Sequence, residues 1–253
     1  MKNLEIYQDT GDLIKALAKV ICETSQEAID ARGQFNFVLS GGSSPKKLYE
    51  LLASKPYQKK IDWDNTYFFF GDERYVSADD KQRNSIMAEE TLFKPLKVEE
   101  SHIFKVDTTC SPEDAAQRYA KSIATHFQKK PVVFDFILLG LGDNAHTASL
   151  FPNTAVLEET EATIKSVFVK EVHMYRITMT APLINQARHI AFLVFGEGKA
   201  EAVYHVLHNN GNSPLEYPAK LIHPKKGCLY WFLDTNAFTV IEQKDNEIIF
   251  KKI

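Results

Sequence analysis

The sequence predicts an α/β fold, with a mostly parallel, Rossmann-like sheet flanked by helices on both faces in three layers. Two observations support this fold class. Short β-rich runs alternate along the chain with amphipathic helical stretches, as in repeated strand–helix units. Some of these runs, such as TYFFF at 66–70 and FDFILL at 134–139, are mostly apolar, which is typical of strands buried on both faces. No internal repeat or Pro/Gly/Ser linker divides the chain, so a single domain over residues 1–253 is expected.

The individual elements follow from hydrophobic spacing and from turn residues. Residues 4–7 (LEIY) are predicted to form an edge strand, and residues 12–31 place Leu13, Leu17 and Ile21 at helical spacing. Pro45 suits the first turn of a helix because its missing N–H is not needed there. Further strands are predicted at 35–39, 66–70, 134–139, 189–195 and 228–233, further helices at 45–53, 84–93, 112–127 and 199–208, and a loop at 208–218.

Composition restricts the partners that the chain can have. Lys and Arg number 30 against 33 Asp and Glu, a net charge of −3, so a broad basic face and a nucleic-acid partner are not expected. The apolar runs are shorter than the roughly 20 residues that span a bilayer, and the N-terminus lacks the apolar stretch of a signal peptide. No membrane partner and a cytoplasmic location are therefore expected. Cys22, Cys110 and Cys228 are scattered, which predicts buried free thiols in a reducing compartment.

Polar clusters directly follow four of the predicted strands, and ligands of such sheets bind at the carboxyl ends of strands. The first cluster is SGGSSP at 40–45. Gly41 and Gly42 let the backbone approach a ligand closely, while Ser43, Ser44 and the following helix start offer donors to a phosphate. The same residues also fit a tight strand–helix turn with a serine N-cap, so both interpretations stay open.

The second and third clusters carry groups suited to acid–base chemistry. In GDER at 71–74, Arg74 could clamp an anion and Asp72 could accept a proton or orient a hydroxyl, the alternative being an ion-paired turn. In GLGDNAHT at 140–147, His146 lies in a glycine-rich turn at a strand end. Its ordinary pKa of about 6.5 suits a general base at neutral pH.

Two further cations are candidate anion ligands. Lys199 follows the strand at 189–195 and lies near a helix N-terminus, where the dipole disfavours a cation unless an anion is shared there. A solvated lysine is the alternative. Arg176, in YRITMT, is a similar candidate. His205 and His208 are three residues apart on one helix, but no acidic residue stands nearby to complete a metal site, so no metal is expected.

Taken together and in this order, the clusters resemble those of the 6-phosphogluconolactonase family. The resemblance covers roughly residues 30–235, and the related glucosamine-6-phosphate deaminases share the scaffold. The matching segments are SGGSSPKKLYELLA (40–53), FFFGDERYV (68–76), RNSIMAEETLF (83–93), FDFILLGLGDNAHTASLFP (134–152), RITMTAPLINQAR (176–188), GEGKAEAV (196–203) and YPAKLIHPKKGCLYWFLD (217–234).

The resemblance implies a carboxylic ester hydrolase that converts 6-phosphogluconolactone to 6-phosphogluconate without a metal or an organic cofactor. It implies that His146 activates water and that Asp72 matches the proton-transfer base of the deaminases. The partner would be a phosphorylated sugar lactone, and the chain a monomer or a small homo-oligomer. The groups implied to hold the phosphate are the Gly41-Gly42 loop, Ser44, Arg74, Arg176 and Lys199.

One departure from the family pattern bears on the mechanism. The family usually has Asp-Gly-His in the third cluster, whereas this chain has Asn144-Ala145-His146, so a carboxylate near the histidine is replaced by an amide. Two rival functions are a deaminase or isomerase that uses Asp72 as a proton shuttle, and a sugar-phosphate sensor without turnover. Asn144 favours the sensor, while Asn144 and Phe151, which stands where the deaminases have a glutamate, speak against the deaminase.

Overall fold

The computed structural model describes residues 2–208, 211, 213–244 and 251–252. Its strands are β1 (Lys2–Tyr7), β2 (Phe35–Leu39), β3 (Thr66–Phe70), β4 (Asp72–Arg74), β5 (Phe136–Leu139), β6 (Ile164–Val169), β7 (Met174–Met179), β8 (His189–Val194), β9 (Cys228–Asp234) and β10 (Lys251–Lys252). Its α-helices are α1 (Thr10–Arg32), α2 (Ser43–Leu52), α3 (Asn84–Ala88), α4 (Lys94–Leu96), α5 (Pro112–His126), α6 (Ala181–Ile184), α7 (Ala200–Leu207) and α8 (Thr235–Lys244).

A parallel sheet forms the centre of the fold, with strand order β10-β1-β9-β8-β5-β2-β3. Its inner strands are built from the apolar runs that the sequence marks as buried, and Phe37 on β2 lies opposite Phe68 on β3 and Phe136 on β5. The chain runs from β2 outward to β3, then crosses back to β5 and continues to β8 and β9. The order therefore reverses between β2 and β5, which is where ligands bind in open α/β sheets.

Helices cover both faces of this sheet because successive strand residues point to opposite sides. Phe37 and Phe136 pack with the buried face of α1 and α2. Val38 and Ile137, the next residues along the same strands, pack with residues of α5, α7 and α8 on the other side. The predicted α/β fold, a mostly parallel sheet with helices on both faces, is confirmed.

A second sheet was not predicted from the sequence. It is antiparallel, with strand order β4-β7-β6. Strand β4 begins two residues after β3 ends, and the Gly71 backbone between them bonds to Leu39 on β2 and to Met179 on β7. This sheet therefore extends from the carboxyl end of the central sheet. Strands β6 (IKSVFV) and β7 (MYRITM) mix polar and apolar residues, and β4 consists of three charged residues, so none is apolar along its whole length.

Three other predictions about elements differ from the structure. Strand β1 is not an edge strand, because it pairs with β9 on one side and with β10 on the other. The helix predicted at 84–93 is α-helical only at Asn84–Ala88 and continues as a π-helical turn at Glu89–Phe93. The three cysteines are unpaired but partly exposed rather than buried.

Of the loop predicted at 208–218, residues 209–210 and 212 lie outside the described residues. Within the described ranges, the chain contains no helix long and apolar enough to cross a membrane.

Candidate active site

The polar clusters meet in one cavity at the carboxyl ends of β8, β5, β2 and β3, which are consecutive neighbours in the sheet. The cavity has a volume of about 530 Å³. It is lined by Ser40, Gly41, Gly42, Asp72, Arg74, Asn84, Gly140, Leu141, Gly142, Asp143, Asn144, His146, Thr147, Ala148, Phe151, Glu171, Val172, Arg176 and Lys199. Polar groups from distant parts of the sequence therefore converge at one edge of the sheet.

The turn after β5 fixes the position of His146. The Gly142 N–H donates to the His146 carbonyl over 2.8 Å, and the Ala145 N–H donates to the Gly142 carbonyl over 2.9 Å. One side of the imidazole lies so close to Gly142 that a Cβ there would overlap Nδ1 and Cε1. The Phe151 ring stacks on the imidazole, with centroids 3.9 Å apart. The histidine therefore has little rotational freedom.

Asn144 determines which nitrogen of His146 carries the proton. The amide Oδ1 of Asn144 lies 2.6 Å from His146 Nδ1, and it also accepts the His146 backbone N–H over 3.2 Å. An amide oxygen can only accept a hydrogen bond, so Nδ1 is the protonated nitrogen and Nε2 carries the free lone pair. The Asn144 amide nitrogen donates to Glu171 Oε2 over 3.0 Å.

Burial keeps the imidazole neutral. It lowers the pKa of His146 from 6.5 to about 4; the charge of Asp72 opposes this shift, and the charges of Lys199 and Arg176 add to it. Desolvation disfavours the charged ring because it loses hydration that the surrounding apolar groups do not replace. At neutral pH the ring is therefore a hydrogen-bond acceptor at Nε2, as a general base requires.

The carboxylate of Asp72 is buried and held by two neighbours. Ser149 donates its hydroxyl to Oδ2 over 2.5 Å, and Asn84 donates its amide to Oδ1 over 3.2 Å and to the Asp72 carbonyl over 2.8 Å. Asp72 is 8% exposed and Asn84 is 2% exposed. The carboxylate is thus fixed in position at the floor of the cavity.

The first glycine of the Gly-Gly pair makes room for Asn84. A Cβ at Gly41 would overlap the Asn84 amide, and Asn84 Oδ1 is buried with no hydrogen-bond partner in the described part of the chain. Gly42 has φ of 109°, in the region that favours glycine, and serves as the N-cap of α2. Ser43 and Ser44 form the first turn of α2 and are not among the residues that line the cavity.

Two arginines lie side by side on the second sheet. Arg74 on β4 is directly opposite Arg176 on β7, an arrangement that is unfavourable for like charges. The Nε atoms of both are buried and lack a partner among the described residues, although Arg74 donates through Nη1 to the Gln82 carbonyl over 2.6 Å. Burial lowers the pKa of Arg176, with Arg74 adding to the shift and Asp72 opposing it. Donors without acceptors beside a second cation are chemically suited to an anion.

Lys199 reaches the same cavity from the turn after β8. Its Nζ lies 2.5 Å from Asp143 Oδ1, and the Asp143 side chain is 80% exposed. Because the pair is near solvent, it is weak, and an anion entering the cavity can take the place of Asp143.

Glu73, between Asp72 and Arg74, has a structural role that the sequence did not reveal. It is fully buried, accepts the backbone N–H groups of Asn84 and Ser85 at the start of α3, and lies 3.7 Å from Arg83 Nε. The GDER cluster therefore contains a buried ion-paired turn beside two residues, Asp72 and Arg74, that line the cavity.

The structure brings Gly41, Gly42, Asp72, Arg74, Asn144, His146, Arg176 and Lys199 into one cavity. Asn84 and Glu171 also line this cavity, and Ser149 bonds to Asp72; sequence reasoning assigned none of these three residues. Of these, Asn84 has the clearest sequence signal, because it falls in the segment RNSIMAEETLF. His205 and His208 instead stack on Tyr217 and Tyr204. The expectation that no acidic residue lies near them is wrong, because Glu201 Oε2 is 3.8 Å from His205 Nε2, one helical turn away. Within the described ranges, no group of three or more His, Cys, Asp or Glu is placed to hold a metal ion.

The fold and the cavity define an α/β protein with a neutral histidine and two adjacent arginines at the switch point of a parallel sheet. The model of the family described as glucosamine-6-phosphate isomerases/6-phosphogluconolactonase matches residues 8–231, and the chain belongs to this family.

Among its relatives is a 6-phosphogluconolactonase of Synechocystis, 41% identical over 86% of this chain and 90% of the relative. A 6-phosphogluconolactonase of Nostoc is 38% identical over 93% of this chain and 97% of the relative. The solved 6-phosphogluconolactonase from Trypanosoma cruzi superposes with a TM-score of 0.83, at 26% identity over 97% of both chains.

Proposed function

We propose that this protein hydrolyses 6-phosphogluconolactone to 6-phosphogluconate, with His146 as the general base. The observation that carries this proposal is the pairing of Arg74 with Arg176 in the cavity that holds His146. A neutral base beside unpaired cationic donors suits a substrate that has both a phosphate and an ester. The two cyanobacterial relatives carry the name of this activity.

The phosphate is proposed to bind between the arginines and Lys199. The guanidinium forks supply directional donors to phosphate oxygens, and the bound dianion removes the repulsion between Arg74 and Arg176. Lys199 leaves its ion pair with Asp143 and binds the substrate phosphate instead. The N–H groups around Gly41 and Gly42, which line the cavity, contribute near the start of α2, where the helix dipole favours an anion.

Anchoring at the phosphate places the lactone carbonyl beside His146, which converts a bimolecular encounter into an oriented one. His146 Nε2 takes a proton from water while the water oxygen attacks the carbonyl carbon. Nearby N–H groups and cations stabilise the oxyanion that forms. The tetrahedral intermediate then expels the ring oxygen, which receives the proton from Nε2 and becomes a hydroxyl. His146 is neutral again when the acid product leaves.

Asp72 is proposed to stabilise the imidazolium that forms during the reaction. Its charge favours the protonated ring, opposing burial, and its own oxygens are held by Ser149 and Asn84. A sugar ring-opening relay would need a further carboxylate close to the histidine, but the stacked Phe151 occupies that place. This arrangement favours lactone hydrolysis over deamination.

The test is acid release from 6-phosphogluconolactone at neutral pH, corrected for spontaneous ring opening. Replacing the general base, His146→Ala, is expected to lower kcat by about 10²–10⁴-fold with a smaller effect on KM. The matched control is His223→Ala, because His223 is exposed and lies outside the cavity. A wild-type kcat in His146→Ala would overturn the role of the base.

Two substrate comparisons separate the rival functions. The unphosphorylated lactone is expected to show a much higher KM, and equal efficiency with both lactones would contradict phosphate anchoring. Ammonia release from glucosamine 6-phosphate is expected to be absent; its presence would instead identify a deaminase. Binding of phosphosugars without any lactone hydrolysis would identify a sensor.

A further inference from the structure

Glu171, Asn144 and His146 form a continuous chain of hydrogen bonds. Glu171 Oε2 accepts the amide N–H of Asn144 over 3.0 Å. At the other end of the same amide, Oδ1 lies 2.6 Å from His146 Nδ1. The Asn144 amide therefore lies between a carboxylate and the imidazole. Its nitrogen faces a hydrogen-bond acceptor, and its oxygen faces His146.

An amide beside a histidine poses a problem that a carboxylate does not. A carboxylate can only accept, so it always selects the Nδ1–H form of the ring. An amide turned by 180° would instead present its NH₂ group to Nδ1, which would favour the Nε2–H form. That form has no lone pair at Nε2 and cannot take a proton from water.

Two groups oppose this rotation. The backbone N–H of His146 donates to Asn144 Oδ1 over the longer distance of 3.2 Å, and Glu171 accepts from Nδ2. If the amide turned, its oxygen would face the Glu171 carboxylate and its NH₂ group would face a backbone N–H. Both contacts would become repulsive. The contact with Glu171 would be the more unfavourable of the two because Glu171 carries a full charge.

The location of Glu171 allows this role to be tested without disturbing the core. It lies in the 3₁₀ turn Lys170–Val172 that joins β6 to β7, its side chain is exposed, and it lines the cavity. Strand β7 also carries Arg176. The same hairpin therefore brings both an anion ligand and the partner of Asn144 to the site.

We infer that Glu171 is a positioning residue that fixes the orientation of the Asn144 amide and thereby keeps Nε2 of His146 unprotonated. This inference rests on the proposed function only in taking His146 as the base. The inference also explains what the amide at position 144 requires: Glu171 is needed to orient it, whereas a carboxylate at that position would need no such partner.

The experiment combines kinetics with ¹⁵N NMR of the imidazole nitrogens, which distinguishes the two neutral tautomers. For Glu171→Ala we expect a new Nε2–H population and a fall in kcat of about tenfold, the worth of one charge-assisted hydrogen bond, with KM changed by less than twofold. Glu171→Gln, whose amide oxygen can still accept, should retain the Nδ1–H form. Glu90→Ala is the control, since Glu90 is exposed and outside the cavity lining.

The decisive comparison is made in an Asn144→Asp background. There the group at position 144 can only accept, so Glu171→Ala should leave the tautomer unchanged and should not lower kcat. An unchanged tautomer in Glu171→Ala on the wild-type background would overturn the inference, as would an equal loss of kcat in both backgrounds. Because the NMR measurement needs no substrate, it tests Glu171 even if lactone hydrolysis is absent, an outcome that would overturn only the proposed function.

Discussion

The imidazole of His146 lies nearly parallel to the ring of Phe151, with their planes 15° apart and their centroids 3.9 Å apart. Phe151 is 6% exposed, so one face of the histidine is in contact with a buried hydrocarbon surface. The stacking thereby contributes to the desolvation that lowers the pKa of His146 to about 4, and it links the packing of the turn to the protonation state of the proposed base.

The pH dependence of activity should reveal this pKa. The neutral ring is the active form, so kcat/KM, calculated on the concentration of substrate whose phosphate is a dianion (its second pKa is about 6), is expected to stay level as the pH falls from 7 to 5 and to decline as it passes through about 4. Phe151→Ala should move the acidic limb upward toward 6.5, because the exposed ring regains hydration. The check is the pH–rate profile of both proteins, and a limb near 6.5 in the unmodified protein would contradict this account.

The same shift predicts how stability changes with pH. The unfolded chain binds a proton at His146 near pH 6.5, whereas the folded protein binds it near pH 4. The unfolded state therefore holds more protons in this range, and the His146 contribution to stability should fall as the pH drops from about 6.5 toward 4. Urea unfolding of wild type and His146→Ala at several pH values should show a smaller loss over this interval in the variant.

Gly142 is expected to tolerate no side chain. A Cβ there would overlap the imidazole of His146, and a displacement of the base by about 1 Å can cost on the order of 10²-fold in rate. Gly142→Ala should therefore lower kcat by about that factor. Gly198→Ala is the matched control, since a Cβ at Gly198 would meet nothing within 4 Å. Steady-state kinetics that give the two variants the same kcat would refute the steric argument.

Gly41 and Asn84 are expected to be energetically coupled. Gly41→Ala should destabilise the fold by about 1–3 kcal/mol, the usual cost of overpacking, because its Cβ would overlap the Asn84 amide. The same change made together with Asn84→Ala should cost less than the sum of the two single changes. Urea denaturation of the four proteins in this cycle measures the coupling, and additive free energies of unfolding would show that the two residues are independent.

Arg176 is expected to lower the stability of the folded protein while it helps to bind the substrate phosphate. Replacing it with an uncharged chain of similar length, Arg176→Met, removes its repulsion with Arg74, which should raise the melting temperature. The loss of charge-assisted bonds to the phosphate should raise KM by about 10–100-fold. Inorganic phosphate should raise the melting temperature of the wild type by mass action and have less effect on the variant. An unchanged KM would remove Arg176 from the anion site.

The central sheet and the place of the site could be predicted because both depend on patterns that are local in sequence. TYFFF is apolar enough to identify β3, and the charged residues directly after it had to lie at its carboxyl end. The four strands followed by polar clusters proved to be immediate neighbours, which neither the periodicity nor the cluster positions could reveal. The convergence of His146 and Arg74 in one cavity depends on that order.

The second sheet could not be predicted because β4 is short and charged, and because β6 and β7 mix polar with apolar residues. Arg176 was a candidate ligand without a strand to place it, and its pairing with Arg74 depends on the long-range register of β4 and β7. Glu171 lies in the turn of the same hairpin, and nothing in VKEVHM indicates that it reaches Asn144. The departure at Asn144 was visible in the sequence, but its partner was visible only in three dimensions.

The adjacency of β8, β5, β2 and β3 in the sheet has a consequence for the synthesis and the proteolysis of the chain. Gly41 and Lys199 line the same cavity although about three fifths of the chain separates them. Such contacts close large loops, and a high share of them slows folding. No N-terminal fragment that stops short of Lys199 contains the complete set of lining groups, so catalysis would begin only after synthesis has passed that residue. Catalytic activity therefore requires that nearly the whole polypeptide is assembled. A proteolytic cut that separates these strands should abolish the activity.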